Sequence, residues 1–397
     1  MKRFVASLHV VRHTRCVRVP FLQSGDQDRV AAAVDADGHA ATPPLHEPDV
    51  LDHHVHRLLR VLLAERVEID RDVVRAVVGL RFDQGANIVE LRAGRRVCAG
   101  AYTTPSPQLD YIRALVESQA NDGADYIAVN LDAFGEQDPQ QAVDMMVQYV
   151  RLVKRWGRGV PVCIDSSSDA VLVAGLKEWY ANAPGVADHV KRGNESLHAP
   201  LLNSIKVYTM DKIMPLKKDY DFSFVGLLVS EEKATGPGGS HSVDELYALA
   251  KQLFDAAMRH GFKPGQIFFD STVFPLAIDM PMEPGVPGYT YRTFETIKKI
   301  KADPRMKGVH CSLGISNSVR DLPARRIGVC RAYVAKAMEY GLDAGIVNTA
   351  HQYGTVEAPP ELLELVDAYA KLDGSMEKTG KAMELMAQFC RDNRKAS

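Results

Sequence analysis

Residues 160–177 read VPVCIDSSSDAVLVAGLK: an apolar, β-branched run closing on Asp165, then a stretch of helical periodicity. That is the βα unit from which parallel sheets are built. The same text recurs on either side, giving eight runs from about residue 96 onward. They are RVCAGAYT from Arg96, DYIAVNLD from Asp125, PVCIDS from Pro161, LLNSI from Leu201, FSFVGLLVS from Phe222, IFFDS from Ile267, VHCSLGIS from Val309 and AGIVNTA from Ala344. Their nearly continuous hydrophobicity suits strands buried on both faces. The helices between them are legible too: Asp138 and Pro139 read as an N-cap and first-turn proline, followed by an inward stripe of Val143, Met146, Val147, Val150 and Val153. Eight such units in about 260 residues predict a (β/α)8 barrel, whose usual length is about 250. A doubly wound open sheet would carry a GxGxxG turn after its first strand, and none is present.

The rest of the chain reads differently. Residues 1–95 are expected to be an N-terminal extension of unknown role, ahead of a barrel with C-terminal helices over 96–397. The extension holds a loop-like stretch, a hairpin pattern VVGLRFDQGANIVELRAGRRV and seven of the thirteen histidines, His9, His13, His39, His46, His53, His54 and His56. From Pro359 to the end the pattern predicts one or two closing helices.

Composition narrows the class. With 46% hydrophobic and 25% charged residues in 397, the chain is neither a disordered nor a disulfide-scaffold sequence. Forty-eight lysines and arginines against 50 acids, a net charge of -2, supply no global field for nucleic acid. Six cysteines (Cys16, Cys98, Cys163, Cys311, Cys330, Cys390) form no CxxC pair, which argues against a disulfide framework and a zinc ribbon. The N-terminal run MKRFVASLHVVRHTRC is broken by His9, Arg12 and His13 before a signal-peptide core forms. A cytoplasmic protein without a membrane partner is the expectation.

In a (β/α)8 barrel the chemistry sits where strands end. Here the ends are Asn130 and Asp132, Asp165, Asn203, Asp270, Ser316 with Asn317, and Asn348. Each alone reads equally as a helix cap or turn residue. Gathered in one mouth, carboxylates and carboxamides need a polar ligand to satisfy them. A pterin fits, because its 2-amino group and N3–H offer two parallel donors to one carboxylate while carboxamides serve its other edges.

At this point the sequence resembles the pterin-binding methyltransferases, the methyltetrahydrofolate:corrinoid protein methyltransferases and the folate module of cobalamin-dependent methionine synthase. The resemblance is carried by GADYIAVNLD (123–132), VPVCIDSSSDAVLVAGLK (160–177), LLNSI, GQIFFDS (265–271), LGISNSV (313–319) and GLDAGIVN (341–348), in order and across most of 96–355. It implies a pterin-binding barrel that moves the N5-methyl group between methyltetrahydrofolate, or a related tetrahydropterin, and the cobalt of a corrinoid. Asp165, Asn203 and Asp270 would contact the pterin ring, and Asn317 would face N5. Asn130 and Gly314 would line the pocket with the strand-end residues Ser316 and Asn348, the catalytic set being Asn317, Asp270 and Asp165. No DxHxxG motif and no paired-cysteine zinc site is present, so the resemblance implies a corrinoid (cobalamin) brought by a partner protein, no resident metal, and a homodimer. Departures are AGAYTTPSP where the family often has IGERIN, the sequence SVRDLPARR after Asn317, and the segment EEKATGPGGS. The alternatives are a non-catalytic pterin- or corrinoid-protein-binding subunit and a dihydropteroate synthase-like enzyme, although the latter's serine–arginine–lysine run is replaced by Ser316, Asn317 and Ser318.

Overall fold

The computed structural model describes residues 5–9 (backbone), 106–136, 138–181, 199–230, 242–279, 281 and 284–393. Eight parallel strands run through them: β1 Val5–His9, β2 Tyr126–Asn130, β3 Val162–Asp165, β4 Leu201–Ile205, β5 Ser223–Leu227, β6 Ile267–Asp270, β7 His310–Cys311 and β8 Ile346–Val347. The order β7-β6-β5-β4-β3-β2-β1-β8 closes on itself, because Gly314 bridges Ile346 and the Ile346 N–H donates to the Leu313 carbonyl at 2.9 Å. The fold is the (β/α)8 barrel that the repeating units predict.

Seven strands lie where the apolar runs place them, and one does not. RVCAGAYT, expected as the first strand, falls outside the described residues. The strand at that place is Val5–His9, paired in register with β2 from Val5↔Tyr126 to His9↔Asn130 and with β8 at Val5↔Ile346. A segment read as extension thus supplies a strand: the facing edges of β2 and β8 would otherwise be open, and VASLH pairs with both. The unit carrying the sheet comprises Met1–Arg12 and Phe82–Ser397. The hairpin pattern and the histidines from His13 to His56 lie outside the described residues.

The main helices are α1 Pro107–Asn121, α2 Pro139–Trp156, α3 Asp169–Tyr180, α4 Val243–Arg259, α5 Tyr289–Ala302, α6 Arg326–Glu339, α7 Pro360–Ala370 and α8 Met376–Asp392. Between β4 and β5 a single turn, Met210–Ile213, and a 3-10 stretch, Met214–Lys218, take the place of a long helix. Asp138 caps α2 by accepting from the Gln140 N–H at 3.1 Å, with Pro139 in the first turn. The buried face of α2 is broader than its valines suggest. Ala142, Met145, Met146, Tyr149, Val150, Leu152 and Val153 are buried while Val143 and Val147 are only partly so. The helix packs on both β2–β3 and α3, so two flanks of it are covered.

Two cores follow from the pleat. Tyr126, Ala128, Cys163, Leu201, Val225, Phe268, Ala344 and Ile346 form the inner one, and a larger apolar cluster lies between strands and helices. Because side chains alternate faces with period two, the residue two positions beyond an inner one also points inward. Counting from Ala128, Cys163, Leu201, Phe268 and Ile346 gives Asn130, Asp165, Asn203, Asp270 and Asn348. The barrel's filling therefore aims five of the expected site residues at its mouth.

Candidate functional site

Register brings three of these residues side by side. Asn130 on β2 pairs with Asp165 on β3, which pairs with Asn203 on β4. Both carboxamides lie close enough to the Asp165 carboxylate to favour its charged form. The Asn130 Oδ1 is occupied by the Asp132 N–H at 3.2 Å, leaving its NH2 as the donor. Burial nevertheless raises the Asp165 pKa to about 7, the two amides pulling it down and the charges of Asp132 and Asp270 pushing it up.

Asp270 ends β6 with only 8% of its surface exposed. Burial raises its pKa to about 7 as well, opposed by the Thr272 N–H, which donates to Oδ1 at 2.7 Å. Two carboxyl groups that feel each other, both titrating near neutrality, make a mouth that can hold or release a proton at working pH.

Beyond β7 the chain turns through the 3-10 segment Ile315–Val319. Asn317 is exposed on it, and a Cβ at Gly314 would come within 3.3 Å of its Nδ2. Glycine at 314 thus leaves the amide room to lie over the backbone. The turn is held by the Ser318 hydroxyl, which donates to the Ile315 carbonyl at 2.7 Å. Ser316 is half-buried beside it.

Other strand-end residues serve the frame. Asp132 accepts from the Ser166 hydroxyl and from the Ser167 N–H at 2.8 Å, fixing the loop after β3. Asn348 caps the turn Thr349–His351 through its Oδ1, which accepts from the Ala350 N–H at 3.0 Å. Its NH2 meets Nε2 of His351 at 3.3 Å, and Nδ1 of His351 meets the Tyr353 hydroxyl at 2.7 Å. Strand-end reasoning missed His351, Tyr353 and the Thr272–Thr293 contacts, all carried by loops or helices. The spacing Asn348-x-x-His351 is a local signal that could have flagged the histidine.

The segment EEKATGPGGS lies outside the described residues, and ahead of α5 the Gly288 N–H donates to the Leu372 carbonyl at 2.8 Å. Arg325 pairs with Glu361 at 2.7 Å, and Arg326 donates to the Leu322 carbonyl at 3.0 Å. A cavity of about 410 Å³ opens at the start of β7, where Lys301 and His310 both bind Asp343 at 2.8 and 2.9 Å. No strand-end carboxylate or carboxamide lines it. Among the described residues there is no cluster of three His, Cys, Asp or Glu side chains able to hold a metal ion, and no helix long and apolar enough to cross a membrane.

The sequence from residue 105 to 348 matches the family model of the pterin binding enzymes, well over half of the chain. The chain belongs to the pterin binding enzyme family. Solved structures similar to it include the dihydropteroate synthase from Stenotrophomonas maltophilia with imidazole bound in its active site, at 18% identity over 66% of this chain and 89% of that one, with a TM-score of 0.39. The dihydropteroate synthase from Coxiella burnetii in complex with pteroic acid is 13% identical over 68% and 90%, with a TM-score of 0.42. The Yersinia pestis enzyme with a pterine–sulfa conjugate is 13% identical over 66% and 89%, with a TM-score of 0.41.

Proposed function

We propose that the chain is a methyltransferase that takes the N5-methyl group of a methyltetrahydropterin, methyltetrahydrofolate in the simplest case, and delivers it to cobalt of a corrinoid carried by a partner protein. The observation that carries this reading is the adjacency of Asn130, Asp165 and Asn203 on three neighbouring strands, with Asp270 close enough for its charge to be felt at Asp165. Such a row matches the donor–acceptor edge of a pterin. When ionised, Asp165 or Asp270 accepts the ring's N3–H and 2-amino protons, and the carboxamides meet the remaining heteroatoms.

Chemistry then falls to Asn317. As the N5–CH3 bond breaks, its electron pair stays on N5, and the methyl group passes to a nucleophilic cobalt(I) centre that is a second substrate. An amide N–H facing N5 strengthens its hydrogen bond as that electron density develops, so it acts on the rate more than on binding. The proton that N5 finally takes arrives through the mouth, where Asp165 and Asp270 titrate near pH 7.

The test is anoxic methyl transfer from methyltetrahydrofolate to free cob(I)alamin, followed by the cobalamin spectrum. Wild type is expected to form methylcobalamin, and Asn317→Ala to lower the rate about 10²-fold with little change in folate binding, the usual cost of losing a donor of this type. Wild-type protein that neither transfers methyl nor binds the folate in calorimetry refutes the reading. Binding without transfer would favour a pterin-binding subunit, and condensation of a pterin pyrophosphate with an aromatic amine would move the assignment to the synthases.

A further inference from the structure

Asp270 is the deepest of the site carboxylates, and what orients it is not another side chain. Its Oδ1 accepts from the Thr272 N–H at 2.7 Å, and among the described residues no bond is made to its other oxygen. The donor is available only because Thr272 adopts a left-handed conformation, φ 65°. A β-branched residue avoids that region, so something must hold it there. The hydroxyl of Thr293, in the first turns of α5, donates to the Thr272 carbonyl at 2.7 Å, with the Ser271 carbonyl 3.4 Å away. The Ser271 hydroxyl returns a bond to the Thr293 carbonyl at 3.2 Å. Both Ser271 and Thr293 are 2% exposed, so no water competes for these contacts. The start of α5 is itself pinned, since the buried Asp279 accepts from the Tyr289 and Thr290 N–H groups at 2.6 and 2.8 Å.

We infer that Thr293 is a positioning residue for the pterin site: its hydroxyl clamps the strained turn at Thr272, which commits one Asp270 oxygen to the backbone and leaves the other for the ligand. The inference deepens the pterin reading and rests on it for the identity of that ligand. The clamp itself is a property of the unliganded chain. A hydrogen bond to the charged form favours ionisation, so loosening the turn weakens an interaction that eases Asp270 toward its carboxylate.

The experiment uses full-length protein labelled with 13C at aspartate carboxyls, the Asp270 resonance being assigned by its loss in Asp270→Asn. Wild type, Thr293→Val and Thr293→Ser are titrated by NMR, and their binding of 5-methyltetrahydrofolate is measured by calorimetry at several pH values. Thr293→Val, which keeps shape and loses the hydroxyl, is expected to raise the Asp270 midpoint by roughly half to one pH unit and to weaken folate binding about tenfold at pH 7. Thr293→Ser restores the hydroxyl and is expected to restore both. Should Thr293→Val fail to fold, Ser271→Ala removes the returning bond and is expected to shift the midpoint the same way by less. A wild-type midpoint in Thr293→Val overturns the clamp, as does a defect that serine does not repair. A shifted midpoint in a protein whose wild type binds no folate upholds the clamp and refutes the pterin reading instead.

Discussion

At the scale of single residues, the site holds its carboxylates against their own solvation. Asp270 is buried and its pKa is raised to about 7, well above the unfolded value near 4. The folded chain therefore holds a proton on Asp270 that the unfolded chain has already lost between about pH 4 and 7. The stability this contributes is present in full below the unfolded pKa and disappears as pH rises through about 7. Asp270→Asn keeps an acceptor for the Thr272 N–H and removes the buried charge. It is expected to be more stable than wild type at pH 8, by about 1–3 kcal/mol, and equal to it near pH 4, while binding methyltetrahydrofolate more weakly. Thermal unfolding across that range checks the first part and calorimetry the second; a variant less stable than wild type at pH 8 would show that the charge is well compensated. Such residues were visible in the sequence because Asp and Asn interrupt otherwise apolar strands. Their separate roles were not, since capping and ligand contact select the same side chains, as Asn348 shows by capping a turn at the end of β8.

At the scale of elements, the segment after β8 is built around a histidine that must remain neutral. Asn348 spends its carbonyl oxygen on the Ala350 N–H, so its NH2 donates to Nε2 of His351, and Nδ1–H then donates to the Tyr353 hydroxyl. Tyr353 lies next to Cys330 on α6, whose thiol is 3.9 Å from the Ile315 carbonyl. A second proton on His351 would set a donor against a donor. Burial and the nearby Arg331 lower its pKa to about 4. This sign is opposite to that of Asp270. Stability from His351 is whole above its unfolded pKa near 6.5 and is lost as pH falls toward 4. The stability difference between wild type and His351→Gln should therefore shrink by about 2–3 kcal/mol between pH 7 and pH 4; a difference that stays constant over that interval would mean that the ring is not held neutral. None of this chain of contacts has a periodic signature, and that is why the sequence pointed to Asn348 and passed over its partners. Strand length set a similar limit. β7 and β8 span two residues each in ladders of otherwise four or five, yet long apolar runs marked both. β1 offered only VASLH amid histidines and arginines, while RVCAGAYT had the longer apolar text.

At the scale of the whole molecule, a barrel differs from an open sheet in having no edges, and here closure depends on the five residues Val5–His9. They pair along their full length with β2 and at Val5 and Ala6 with β8, whereas the opposite seam, between β7 and β8, is closed by little more than the Gly314–Ile346 bridge and its neighbouring hydrogen bonds. Removing β1 would therefore expose both β2 and β8 as edges and unroof the inner core beside Tyr126 and Ala128, two residues with no exposed surface. Roughly five ladder bonds at about 1 kcal/mol each set the direct loss. At 2–4 °C per kcal/mol for a domain of this order, Tm should fall by about 10 °C or more. The same deletion removes the backbone partner of Asn130, since His9 pairs with it in register. Folate binding should then weaken even under conditions where most of the protein remains folded. A chain lacking residues 1–12 that unfolds at the wild-type temperature, keeps the wild-type oligomeric state and still binds methyltetrahydrofolate would show that the N-terminal strand is dispensable. The measurement is calorimetric unfolding of the two chains side by side with light scattering, because unpaired edges report themselves as association.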